Sequence, residues 1–166
     1  MSDSLTEYKI LVSHIGGPSY SVPAINQDIE MSKSLVSESY HEFLQNFGYT
    51  IFRNASFQIV NPSKFNKVIS QIFRKDRQFL VHEMCVIGMS AFGDLLIYQK
   101  DFGLIDVVFA QHWISSKEFS GAIGDEIDAR IRTAIFTGVE EPDNYDEAGK
   151  PLFERCLARL GNLKPG

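Results

Sequence analysis

Four histidines and two cysteines are the residues best suited to metal or nucleophile chemistry, and their spacing speaks against both. His14, His41, His82 and His112 are scattered, and none pairs with another at ligand spacing. The run His82-Glu83-Met84-Cys85 has a metal-like order. On a strand, however, His82 and Met84 share one face while Glu83 and Cys85 share the other. They read as a sheet-edge histidine and a buried thiol. Neither Cys85 nor Cys156 lies in a catalytic frame, and no G-x-S-x-G elbow occurs. Gly16-Gly17-Pro18 lacks the lysine and helix start of a phosphate loop. The expectation is no catalytic residue, no bound metal and no cofactor.

Carboxylates are the more unusual polar feature. Glu140, Glu141, Asp143, Asp146 and Glu147 lie close together, interleaved with Pro142, Asn144 and Tyr145. Their spacing does not fit an EF-hand, which needs alternate ligands, a central glycine and a closing glutamate. Two readings stand: a solvated linker, or an anionic patch for a basic partner with Tyr145 as aromatic anchor. In Ser90-Ala91-Phe92-Gly93-Asp94 the residue types are those of a turn. Gly93 supplies a positive φ there and Asp94 a bond to the turn backbone.

The elements that carry these residues follow from hydrophobic period. Residues 35–47 form a helix with Val36, Tyr40, Phe43, Leu44 and Phe47 on one stripe, Ser34 as N-cap and Gly48 as terminator. Residues 49–52 and 57–60 read as a hairpin around 53–56. A second helix starts at Asn61-Pro62 and carries Phe65, Val68, Ile69, Ile72 and Phe73. Residues 79–114 read mostly as strands with short connections, which demands antiparallel pairing. The expected fold is α+β: a curved antiparallel meander with the two helices on one face. A helix over 125–136 stops at Gly138. A last one, 151–160, buries Leu152, Phe153, Cys156, Leu157 and Leu160, ends at Gly161 and docks back on the sheet.

Composition narrows the function classes. The 166 residues hold 16 Lys+Arg against 21 Asp+Glu, a net charge of −5, with 44% hydrophobic residues. That balance argues against a generalist nucleic-acid binder, which needs a basic face. No stretch approaches the roughly 20 apolar residues of a membrane span. The start, Met1-Ser2-Asp3-Ser4-Leu5-Thr6-Glu7, lacks the character of a signal peptide, and two cysteines make no disulfide framework. A cytoplasmic protein is expected, with no direct nucleic-acid or membrane partner.

Two segments carry a family likeness. Phe57-Gln58-Ile59-Val60-Asn61-Pro62 with Phe65, and Ser90-Ala91-Phe92-Gly93-Asp94-Leu95-Leu96-Ile97-Tyr98, resemble the pattern of the bacterial GAD-like domain family. The tail, Asp146-Glu147-Ala148-Gly149-Lys150-Pro151-Leu152-Phe153 with Leu160-Gly161-Asn162-Leu163-Lys164-Pro165-Gly166, resembles the start of the domain that commonly follows it. Together they are similar to the two-part immunity proteins encoded beside type VI secretion DNase toxins, the Tdi type. The chain departs from the family at Ala55-Ser56, where a glycine is frequent, and it stops at Gly166 where the family often continues. The resemblance implies a GAD-like α+β domain over 1–115 and a shortened helical C-terminal part over 116–166. It implies a non-catalytic antidote that occludes a cognate toxin, a nuclease with a basic surface. Glu140, Glu141, Asp143, Tyr145, Asp146 and Asp94 are then the candidate toxin-binding residues. The alternative is a regulatory interaction module without a toxin partner.

Overall fold

In the computed structural model, which describes residues 4–116, 125–140 and 145–161, seven strands pair with their chain neighbours in sequence order, all antiparallel. They are β1 (Pro18–Val22), β2 (Tyr49–Phe52), β3 (Phe57–Ile59), β4 (Met84–Ser90), β5 (Leu95–Gln99), β6 (Gly103–Val108) and β7 (Trp113–Ser116). The short connections from β4 onward leave no room for a crossover, so the expected meander forms. A register shift between Val86 and Gly88 bends β4.

Among the described residues six α-helices accompany the sheet: α1 (Ser4–His14), α2 (Asn26–Leu35), α3 (Glu38–Phe47), α4 (Asn66–Ile72), α5 (Asp125–Glu140) and α6 (Phe153–Leu160). Alternate strand residues build two cores. Phe52, Phe57, Cys85, Ile87, Leu96 and Tyr98 face Tyr8 of α1, Tyr40 and Phe43 of α3, and Ile131, Ile135 and Val139 of α5. Val86, Leu95, Ile97, Ile105 and Val107 face Ile69 of α4 and the adjoining Phe73. The α+β meander is as expected, but α4 lies on the face opposite α3. Period identifies the apolar stripe of a helix; it does not say which face of the sheet receives it.

The expected helix over 35–47 divides at its start. Ser37, not Ser34, is the N-cap of α3, because it has the extended backbone a cap needs (φ −162°) and accepts from the Tyr40 N–H at 3.0 Å. Ser34 bonds back to Met31 within α2. Three further elements precede α3. α1 buries Tyr8, Leu11 and Val12, with Ile15 just past its end, at helical spacing, while β1 is exposed along its whole length. The second expected helix begins as a 3₁₀ turn, Pro62–Phe65, and Asn61 makes no side-chain cap bond.

At the C-terminal end, Gly138 lies inside α5 and does not stop it. α5 docks on the sheet, sharing one core with α1 and α3. α6 ends at Gly161 as read, but it buries none of its residues, and Leu160 is 83% exposed. An amphipathic stripe shows that a helix has an apolar side, not that a surface remains for it. The sheet face beside α1 and α3 is taken by α5.

Candidate functional site

α5 is fixed at several points, and its position forms one wall of a cleft on the sheet. Near its start, Asp128 accepts hydrogen bonds from Ser37 Oγ at 2.6 Å and Tyr8 Oη at 3.3 Å. At its end, Ser56 Oγ donates to the Val139 carbonyl at 3.1 Å, satisfying a terminal helix acceptor, and Arg53 pairs with Glu140. Between these ties Gly138 lies against Phe57. A Cβ at 138 would sit 2.5 Å from the Phe57 ring, and one at Gly88 would sit 2.3 Å from its far end. The ring is wedged between two positions without side chains.

A cleft of about 780 Å³ opens where α5 diverges from β5, β6 and β7. Its helix wall is the polar stripe Glu126, Arg130, Thr133 and Thr137, whose spacing places all four on one side of α5. Phe57, Leu96, Leu104 and Val108 give the sheet side an apolar floor, from which Asp106 projects. Trp113, directly across from Val108 in the β6–β7 pair, forms an open flank and is 42% exposed. Among the described lining residues, Asp94, Asp106 and Glu126 face one cation, Arg130, which pairs with Glu126.

Among the described candidates, Asp94 is the one that lines this cleft. The Ser90 N–H donates to the Asp94 carbonyl at 2.9 Å, and the Asp94 N–H donates to Ser90 Oγ at 3.1 Å. Ser90 Oγ in turn donates to Asp94 Oδ2 at 3.2 Å, and the Phe109 N–H donates to Oδ1 at 2.9 Å. Gly93 takes the positive φ, +88°, that the turn requires. The carboxylate therefore closes the turn and ties it to the end of β6, while adding negative charge to the cleft.

The other described candidates are not gathered there. Glu140 is engaged by Arg53. Asp146 accepts from the Lys150 and Ala148 N–H groups at 2.9 and 3.0 Å and pairs with Arg155. These donors, the Lys150 amide first, hold its carboxyl below the usual aspartate value. Tyr145 is 58% exposed and pairs with Pro151 in an isolated bridge. Glu141 and Asp143 lie outside the described residues.

The residues absent from the sequence reading are Asp106, Trp113, Glu126, Arg130, Thr133 and Thr137. The only tryptophan and the polar stripe of α5 were the available signals. Cys85 is inert by position, since burial pushes its thiol up to about 12. His41 is buried with Nδ1 3.0 Å from the Ile29 carbonyl. Among the described residues, no three or more His, Cys, Asp or Glu side chains converge to hold a metal ion. None of the described helices is long and apolar enough to cross a membrane.

Fold and cleft together define a class: an α+β domain on a seven-stranded antiparallel meander, with a helix-walled cleft on one face. Residues 6–110 match the model of the GAD-like domain, and the chain belongs to that family. In three dimensions it is similar to the crystal structure of Atu4351 from Agrobacterium tumefaciens, with a TM-score of 0.86 and 26% sequence identity. That likeness covers 96% of this chain and 73% of the other. A search of curated proteins gave no match.

Proposed function

We propose that this protein is a cytoplasmic immunity protein that neutralises a cognate secreted toxin, a type VI secretion DNase, by binding it and occluding or distorting its active site. The observation that carries the reading is the cleft between α5 and β5–β7, where three carboxylates face one guanidinium beside an exposed tryptophan. Membership of the GAD-like family and the resemblance of the tail to Tdi-type proteins support it. A DNase must present a basic surface to its substrate, so an acidic protein is electrostatically matched to the enzyme and repelled by the DNA itself. Charge complementarity of this kind accelerates encounter and suppresses wrong partners. Inhibition by occlusion needs no catalytic group and no cofactor.

The test is co-expression with the product of the neighbouring gene, scoring growth rescue and co-purification. Rescue with a stable complex is expected. Neither rescue nor a complex would overturn the reading.

A further inference from the structure

We infer that a pocket on the sheet face opposite α5 binds a small aromatic acid with an N–H donor beside its carboxylate, the chemistry of an N-acylated aromatic amino acid. The pocket, about 370 Å³, lies between β1–β4 and the 3₁₀ turn Pro62–Phe65. Its floor is a single row across four strands: Tyr20 is paired with Ile51, Ile51 with Gln58, and Gln58 with Met89. Residues directly opposite one another share a face. Val60 and Met89 belong to the core under α4, so the face is the one that α5 leaves open. The frame is preformed. Tyr49 Oη accepts from the Ile25 N–H at 3.2 Å and donates to the buried Asp28 of α2, which Ser63 Oγ also reaches. β2, α2 and the turn are thus held together at one carboxylate.

The lining sets the chemistry of the occupant. Asn61 makes no helix-cap bond, and its Oδ1 is buried without a hydrogen-bond partner. A buried acceptor left unpaired is destabilising, so this oxygen calls for a donor. A lone water needs several polar partners, and the neighbouring Val60 and Phe65 side chains offer it none. The rings of Tyr20 and Phe65 beside Ile51 and Met89 suit an aromatic body. Lys64 is exposed, has no carboxylate partner among the described residues, and is the one charged residue of the lining. In a chain of net charge −5, a pocket with one base and no acid favours an anion. A ring on the floor, an N–H on Asn61 Oδ1 and a carboxylate toward Lys64 satisfy all three surfaces together.

This inference goes beyond the immunity reading and is independent of it, since the pocket and the α5 cleft share no lining residue. The full chain is titrated by calorimetry with three probes: N-acetyl-phenylalanine, its C-terminal amide, and 3-phenylpropionate, which keeps ring and carboxylate but lacks the N–H. Saturable binding of the first is expected. 3-Phenylpropionate should bind about tenfold more weakly for want of the donor, and the amide about threefold more weakly for want of the charge. In Asn61→Ala the preference for the N–H should vanish. In Lys64→Gln, a change at an exposed position, the preference for the acid over the amide should vanish. Asn61→Ala should also melt no lower than the wild type, because it removes an acceptor that the fold leaves unpaired. No saturable binding of N-acetyl-phenylalanine would overturn the inference. So would either preference surviving in its variant, or a lowered melting temperature for Asn61→Ala, which would show that its oxygen serves the fold. If the acid binds while the wild type neither rescues growth nor forms a complex, the immunity reading fails and the pocket assignment stands. Rescue without binding of any probe gives the reverse.

Discussion

Ser37 Oγ lies 2.6 Å from Asp128 Oδ1, joining the N-cap of α3 to a buried carboxylate of α5 that is 91 residues away in the chain. The same hydroxyl oxygen accepts from the Tyr40 N–H, so one serine both starts a helix and anchors another. Tyr8 Oη of α1 donates to the same Asp128 oxygen. Three helices from distant parts of the sequence therefore meet at one carboxylate, and the cleft wall begins two residues away at Glu126 and Arg130.

Removing that hydroxyl should cost more than a helix cap alone. Ser37→Ala is expected to lower stability by about 2–3 kcal/mol, above the roughly 0.5–2 kcal/mol of a lost cap, because the bond to the buried Asp128 carboxylate is lost with it. Asp128→Asn, which places an amide where two donors converge, should lower it by about 1–3 kcal/mol. Because the two side chains share a bond, the double variant should fall short of the sum by about 1 kcal/mol. Urea unfolding of the three variants measures this; strict additivity would show that the bond contributes nothing.

Gly138→Ala sets helix propensity against packing. In an exposed helix the change would gain about 1 kcal/mol. Here the new Cβ would lie 2.5 Å from a Phe57 ring that Gly88 confines on its far side. Overpacking of a core typically costs about 1–3 kcal/mol, so a net loss is expected despite the better propensity. Phe57→Leu should cost less in the Gly138→Ala background than in the wild type. Chemical denaturation decides, and a stabilised G138A would show that α5 does not press on Phe57.

Thiol labelling should split the two cysteines. Cys85 is fully buried and its thiol is pushed up to about 12, so thiolate is scarce at pH 8. Cys156 on α6 is half-buried. A maleimide at pH 8 is expected to modify Cys156 alone in the folded protein and both residues after denaturation. Mass spectrometry of the labelled chain reads the result, and rapid native modification of Cys85 would contradict the packing of β4.

The turn around Asp146 should be acid-labile. Its carboxyl is held below the ordinary value of 3.8 by the Lys150 N–H first and then by Arg155. A depressed folded value means the stabilisation is present above 3.8 and is lost as pH falls through the folded value. The amide resonances of Lys150 and Ala148 should shift together in that acid range and not in Asp146→Asn. The carboxyl is only half-buried and its partners all lie within residues 146–155, so the event is local and global unfolding should not accompany it.

The apolar runs of β4, β5 and β6 and the short joins between them were enough to show a meander, because strand pairing there is local. The turn closed by Ser90, Gly93 and Asp94 was equally legible, since it is made by backbone needs of adjacent residues. The stripe of Ile127, Ile131 and Ile135 announced α5. What local pattern could not supply is which sheet face each helix covers: α3 and α4 carry comparable stripes and pack on opposite faces. Nor could it show that Leu160 stays exposed, since that depends on what surface is left after α5 has docked.

The cleft belongs to this second kind of information. Asp106 and Trp113 come from two strands and Glu126 from a helix, and they share a cavity only because α5 is tied down by Ser37, Tyr8, Ser56 and Arg53. The acidic excess could be counted in the sequence and the strands could be read from their period. Where that charge faces an apolar floor was decided by long-range packing, which no window of neighbouring residues contains.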